Sequence, residues 1–395
     1  MQVCGVICEY NPFHKGHALH LEKARALSGA DYVVCIMSGS VTQRGTFARH
    51  DKWTRARMAL ENGADLVIEL PVRFSGAPAE EFASGGVRLL SSLGVVTHLS
   101  FGCEAQALPV LKPAAKLLSE ESPAFREALR AHLACGLPYP RARALAAQQL
   151  SGTENLSERI ALPNASLAIE YLRALPQHIT PVPVVREGSG YHDQHIAELS
   201  SATAIRAALD RGDLPQALAA VPSAQLLEHA QLRGDTHEEE ALTQALLYRL
   251  RTMTAGELAQ ITGVEEGLEY RFLAAAKTAC TRDELILAVK SKRYTYARLS
   301  RICQNILLGV TKDFVQKNAA PSYARVLGFR RDAQGLLRAI KENSSIPLVT
   351  KAADYDRSDP LFSLDVRAQD LWSLGCTSPG LQSSGRDFTT GPAIL

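Results

Sequence analysis

The chain has no Cys-x-x-Cys pair: its eight cysteines, Cys4, Cys8, Cys35, Cys103, Cys135, Cys280, Cys303 and Cys376, are scattered over 395 residues. Zinc ribbons and small disulfide frameworks need closely paired or regularly spaced cysteines, so neither is indicated and no metal site is expected. Most of these thiols are expected as small core residues. Nor does any apolar run approach the length of a membrane span. Met1-Gln2-Val3 leads directly into an apolar strand, without the charged and then apolar segments of a secretion signal, which predicts a cytoplasmic protein. No internal repeat is apparent, so a repeat array is excluded. Net charge is also nearly absent, at +2. The balance conceals an asymmetry. Residues 281–330 hold ten basic residues (Arg282, Lys290, Lys292, Arg293, Arg298, Arg301, Lys312, Lys317, Arg325, Arg330) against Asp283, Glu284 and Asp313, a local excess of +7 that leaves −5 for the remainder. A polyanion partner for the C-terminal part is expected.

A length of 395 residues allows two or three domains with sizeable cores, and 46% hydrophobic with 21% charged residues is an ordinary globular composition. Apolar runs at Val3 to Cys8, Tyr32 to Met37, Leu66 to Leu70 and Thr97 to Phe101 alternate with helical periodicity near 15–28, 49–63 and 79–93. This βαβαβαβ series predicts an α/β fold, a doubly wound parallel sheet with right-handed crossovers. A helical insertion is expected over about 107–155, followed by a helix at Ser166 to Leu175 and a proline-punctuated strand at Ile179 to Arg186. Beyond Ser200 the periodicity is almost only helical until a Gly/Ser/Thr-rich tail from Gly375. Two units follow: a nucleotide-binding sheet domain over 1–210, and a mainly helical domain with its tail over 211–395.

The densest chemistry lies where the first strand meets the first helix, in Cys8-Glu9-Tyr10-Asn11-Pro12-Phe13-His14-Lys15-Gly16-His17. Val3 to Cys8 is almost wholly apolar, as in a strand buried on both faces. Asn11-Pro12 ends it, and helical periodicity starts at His14. His14 and His17 therefore sit about a turn apart at a helix N-terminus, where unpaired N–H groups and the positive dipole end favour an anion. Gly16 has no Cβ, so the helix start is able to lie close against a phosphate or base. Each imidazole can donate to oxygens that gain charge as an α-phosphorus is attacked. In isolation His-x-Gly-His is a pair of solvated helix-start residues. Here it occupies the first strand-to-helix turn, where open α/β sheets bind nucleotides, and it reads as an ATP site.

His-x-Gly-His after a first strand resembles the signature of the nucleotidylyl-transferase superfamily that includes the class I aminoacyl-tRNA synthetases. The longer Cys8 to His17 stretch resembles one branch, the tRNA(Met) cytidine acetate ligases, with Lys15 where members usually carry Asn. The similarity runs from Met1 through Asp387-Phe388-Thr389-Thr390-Gly391-Pro392. It implies an AMP-forming ligase that activates acetate with ATP as acetyl-adenylate and acetylates N4 of the wobble cytidine of elongator tRNA(Met). It also implies catalysis by His14 and His17, and ATP contacts from Ile7, Cys8, Glu9, Tyr10, Asn11, Pro12, Phe13, His14, Lys15, Gly16, His17, His20, Gly102, Asn164, Arg186, Ser201 and Arg206. Nothing in the sequence fixes a Mg²⁺ requirement. The alternative is a small-molecule adenylyltransferase that passes AMP to a phosphorylated cofactor precursor. The extended basic helical half argues against it, since a small substrate needs no such track.

Other segments gain meaning beside this motif. Ser38 to Thr46, after the second strand, holds Gln43 and Arg44, which would orient a carboxylate or phosphate or else lie in a polar surface loop before a helix capped by Asp51. Gly102 ends the fourth strand, Asn164 sits where a helix cap is the plain alternative, and Arg186 precedes a glycine-rich turn. Ser200-Ser201-Ala202-Thr203-Ala204-Ile205-Arg206 reads alone as a cap and an amphipathic helix; the resemblance makes it a looser copy of the superfamily's second phosphate motif. Lys290, Lys292, Arg293, Arg298 and Arg301 interleave with Tyr294 and Tyr296, a mixture suited to RNA phosphates and stacked bases. The resemblance makes tRNA that partner, with Lys312, Lys317, Arg325 and Arg330 extending the track.

Overall fold

The computed structural model describes residues 1–103, 108–185 and 201–395; Glu104, Arg186 and the glycine-rich stretch after Arg186 lie outside them. Five parallel strands, β1 (Val3–Cys8), β2 (Tyr32–Ser38), β3 (Leu66–Leu70), β4 (His98–Cys103) and β5 (Thr180–Val185), lie in the order β5-β4-β1-β2-β3. Winding reverses at β1, whose neighbours β2 and β4 lead away in opposite directions, so a crevice opens at its carboxyl end. Both faces of the strands are apolar. Along β2, Val34 and Ile36 join one core, whereas Val33, Cys35 and Met37 join the other. Helices α1 (Lys15–Ser28) and α2 (Lys52–Glu61) cover the second face with Leu21, Ala24, Ala56 and Leu60. The Ala79–Ser92 and Pro163–Ala174 helices cover the first with Phe82, Leu90 and Ile169. Helices Leu108–Glu120, Pro123–Ala134, Tyr139–Ser151 and Leu156–Ala161 fill the inserted region.

The reading of an almost wholly helical chain beyond Ser200 is corrected by three strands. β6 (Ala324–Phe329) pairs antiparallel with β3, and the two-residue β7 (Leu348–Val349) and β8 (Ala393–Ile394) pair parallel with β6. β6 shows no alternation because it is buried on both sides, and it carries a charge: Arg325 is 3% exposed. Its partner is supplied from far away in sequence. Lys52 Nζ meets Glu69 at 2.8 Å and Asp387 at 2.7 Å, and Arg325 Nη1 meets Asp387 at 2.5 Å. Two cations and two anions balance, which is the condition for burying such a group without a large desolvation loss. The tail is thereby tied inside the molecule. Between these elements, Leu246, Leu258, Phe272, Ile286, Leu299 and Ile306 form a helical core of their own.

Candidate functional site

The crevice at the end of β1 is built by a turn that other elements hold in place. Tyr10 adopts φ 50°, a left-handed conformation uncommon for a side-chain-bearing residue. Arg55 of α2, wholly buried, donates to the carbonyls of Glu9 (2.7 Å), Ser38 (2.9 Å), Gly39 and His50 (3.0 Å), which joins the ends of β1 and β2. Burial lowers its guanidinium to about 10, still charged at neutral pH. Asn11 completes the turn: its Oδ1 accepts the Arg49 N–H at 2.8 Å and its carbonyl accepts from Arg206 at 2.5 Å. Sequence reasoning missed this role of Arg55, because spacing does not reveal which distant carbonyls a buried guanidinium will collect.

His14 caps α1 in an extended conformation, φ −139° and ψ 170°. Its backbone N–H donates to Nδ1 of His17 at 3.2 Å. With Nδ1 as acceptor, a neutral His17 ring carries its proton on Nε2. The two rings stack with centroids 3.5 Å apart, and Tyr10 and Phe13 pack against His17 at 4.8 and 5.6 Å. A Cβ on Gly16 would lie 3.1 Å from Cε1 and Nδ1 of His14, so glycine here makes room for an imidazole as well as opening the helix start. One turn on, His20 Nε2 lies 3.0 Å from Ser100 Oγ on β4.

These groups face a cavity of about 360 Å³. Of the expected site residues, Ile7, Cys8, Glu9, Tyr10, Asn11, His14, Gly16, His17, His20, Gly102, Asn164, Ser201 and Arg206 all line it. Pro12, Phe13 and Lys15 do not: Phe13 is core, and the Lys15 N–H is bonded to the Ala220 carbonyl at 3.1 Å. Asn164 is not a helix cap, a position held by Leu162, whereas Ser201 does cap its helix through the Ala204 N–H. Lys23 and Tyr171 also line the cavity and were missed. Lys23 was findable, since His17, His20 and Lys23 recur every third residue and share one helix face. Gln43 and Arg44 border the cavity, and the Gln43 N–H donates to Glu9 at 2.6 Å. Burial raises the Glu9 carboxyl, opposed by that N–H and by Arg206, Arg44 and Arg55. A cleft with a helix N-terminus, two imidazoles and these guanidiniums is suited to a polyanion.

The loop that carries Gln43 is gripped from the helical half. Arg301 donates to the Gln43 carbonyl (3.1 Å), Arg282 and Ser300 to that of Gly45 (2.6 and 2.9 Å), and Gln304 to that of Thr46 (3.2 Å). Gly45 at φ 80° permits the approach: a Cβ would stand 2.3 Å from the Arg301 backbone nitrogen. The interleaved basic stretch is thus divided. Lys290, Lys292, Arg293 and Tyr296 are exposed, with Arg293 paired to Glu266 at 2.7 Å and the Tyr296 hydroxyl on Asp283. The expectation that Tyr294 stacks on RNA bases is corrected: it is 5% exposed, beneath Arg298 at 5.1 Å, with its hydroxyl on Glu266 at 3.0 Å. Arg298 pairs with Glu265 at 3.1 Å. Arg282, Arg301 and Arg325 serve inside the protein, and Arg330 lies beside Asp65 and Asp332, so much of the +7 is spent internally.

The geometry has relatives. The model of the HIGH Nucleotidyl Transferase family matches residues 1–387. A tRNA(Met) cytidine acetate ligase of Acetivibrio thermocellus is 38% identical with both chains covered in full, and one of Halothermothrix orenii is 38% identical over 98% of each. The chain belongs to the tRNA(Met) cytidine acetate ligase family. Among solved structures, Thermotoga maritima TmcAL bound with alpha-thio ATP matches at TM-score 0.92 and its apo form at 0.94, each 31% identical over the whole of both chains. Throughout its length, then, this acetate ligase family member shares the backbone of a nucleotide-bound relative.

Proposed function

We propose that the protein uses ATP to activate acetate and acetylates N4 of the wobble cytidine of elongator tRNA(Met). The observation that carries this is the His17 ring, set by the His14 N–H so that Nε2 is the donor, in a cavity at the first β–α turn. An acetate oxygen attacks the α-phosphorus, the bond to the β-phosphate oxygen breaks, and pyrophosphate leaves. His17 and His14, with Arg206 and the α1 N-terminus, hold the negative charge that moves onto the phosphates. ATP spans the crevice from Gly102 and Asn164 to the histidines. The cytidine amine then attacks the acetyl carbonyl and AMP departs, and an enclosed site keeps water from the mixed anhydride. An anticodon base is already outside a duplex, which lowers the energy needed to enter the pocket. tRNA docks along Lys290, Lys292, Arg293 and Tyr296.

Mass spectrometry of tRNA(Met) after incubation tests this. Acetylated cytidine is expected only when ATP and acetate are both present. AMP transfer to a phosphorylated cofactor precursor, with no acetyl-adenylate formed, would sink the proposal and favour the small-molecule adenylyltransferase.

A further inference from the structure

Among the described residues that line the cavity stands one acid, Glu9, the first residue after β1. It is ill suited to a triphosphate. A carboxylate repels phosphate oxygens at short range and has no proton to give them. Yet it is held firmly: Oε1 accepts the Gln43 N–H at 2.6 Å, and its own carbonyl is fixed by Arg55 at 2.7 Å. A positioned acceptor in a polyanion site needs a partner that donates and is not an anion. The exocyclic amine of cytosine is such a group, and carboxylates accept from it in base recognition. Location favours the same partner. Gln43, whose N–H holds Glu9, is itself held through its carbonyl by Arg301 of the Tyr296–Leu308 helix, so Glu9 lies on the wall shared with the basic helical half.

We infer that Glu9 binds the N4 amino group of the target cytidine and takes its proton as the acetyl group is transferred. This rests on the function proposed above. The N4 lone pair forms a bond to the acetyl carbonyl carbon, the bond from that carbon to the phosphate oxygen breaks, and AMP leaves with its electron pair. The proton from N4 passes to the Glu9 carboxylate, so charge and atoms balance. The amide N–H that remains stays on the product. Facing Glu9 are Arg44 from the loop, Arg55 from α2 and Arg206 from the Ala202–Asp210 helix, with Tyr171 from the Pro163–Ala174 helix and His14 and His17 from α1 on the same cavity. The guanidiniums keep the carboxyl ionised for the amine to meet, and burial raises its basicity.

Glu9→Gln retains an oxygen that accepts the Gln43 N–H and loses the base. Two readouts are compared in the full-length protein: acetate-dependent ATP–pyrophosphate exchange, and single-turnover transfer of labelled acetyl to tRNA(Met) between pH 5 and 9. Transfer should fall on the order of 10²–10⁴-fold beyond any change in exchange. The wild-type transfer rate should rise with pH through the Glu9 titration, above the ordinary carboxylate range. That rise should persist in Glu9→Asp and vanish in Glu9→Gln. Equal loss of exchange and transfer in Glu9→Gln, or transfer at the wild-type rate with an unchanged pH profile, overturns the assignment. Absence of exchange in the wild type would instead reject the parent function, and this assignment with it.

Discussion

At the scale of the residue, His17 depends on a hydrogen bond from its own helix start. The His14 N–H occupies Nδ1, so the donor side of the ring is decided before any ligand arrives. Removing one preorganised donor to a developing oxyanion typically lowers the rate by roughly 10²–10³-fold. His17→Ala is therefore expected to reduce acetate-dependent pyrophosphate exchange by about that factor while leaving the melting temperature within a few degrees; exchange at the wild-type rate would remove His17 from the chemistry. Gly16→Ala tests the same unit more gently. Its methyl would press at 3.1 Å on a His14 ring already stacked at 3.5 Å on His17, so the ring has little room to yield. Displacement by a few tenths of an ångström should lower kcat for adenylate formation about tenfold, with KM for ATP changed less. A steady-state comparison of kcat and KM decides it, and unchanged kcat would show that the imidazole pair tolerates movement.

At the scale of the element, the loop from Ser38 to Phe47 joins the nucleotide cavity to the helical half. Its Gln43 N–H donates to Glu9, and its Gln43, Gly45 and Thr46 carbonyls accept from Arg301, from Arg282 and Ser300, and from Gln304. Burial, with Arg298 adding to it, lowers the Arg301 guanidinium to about 10, and the group remains charged at neutral pH. Arg301→Ala leaves the Gln43 carbonyl without this donor, a loss of about 1–3 kcal/mol, to be read as a lower urea midpoint at unchanged slope. The exposed cations make a contrasting case. Lys292→Glu with Arg293→Glu should weaken tRNA binding and flatten its dependence on salt while sparing ATP binding; equal loss of both would count against a separate RNA surface. The sequence distinguished these two classes poorly, and for a physical reason. Arg293 and Arg301 look alike in a basic run, and only the approach of Gly45, 256 positions before Arg301, makes one of them internal. By contrast β1 and α1 were legible to the residue, because a two-face-buried strand and a capped helix leave local signals that no distant partner has to supply.

At the scale of the whole molecule, the sheet is closed by chain that sequence periodicity assigned to helices and a tail. β6 adds to β3 with Arg325 buried against Asp387 and Glu69, and neither partner is near it in sequence. Arg386 makes a second tie, bidentate to Asp235 at 2.8 and 3.3 Å, so the Gly/Ser/Thr-rich tail works as a clasp. Removing one member of a buried, balanced cluster leaves an uncompensated charge, which typically costs about 3–5 kcal/mol. Asp387→Ala should destabilise by that order in urea unfolding, and Asp387→Asn, which keeps the volume, should do nearly the same at neutral pH. Acid separates charge from packing. Burial alone would raise the Asp387 carboxyl, but Lys52 and Arg325 outweigh it and hold the group below the usual range. A group depressed in the folded state contributes its full stability above the unfolded value, near 4, and loses it as pH falls through the folded value. The gap in unfolding free energy between wild type and Asp387→Asn should therefore be constant from pH 7 to about 5 and close progressively below about 4. A gap that persists unchanged to pH 3 would mean that the clasp is held by shape rather than by charge.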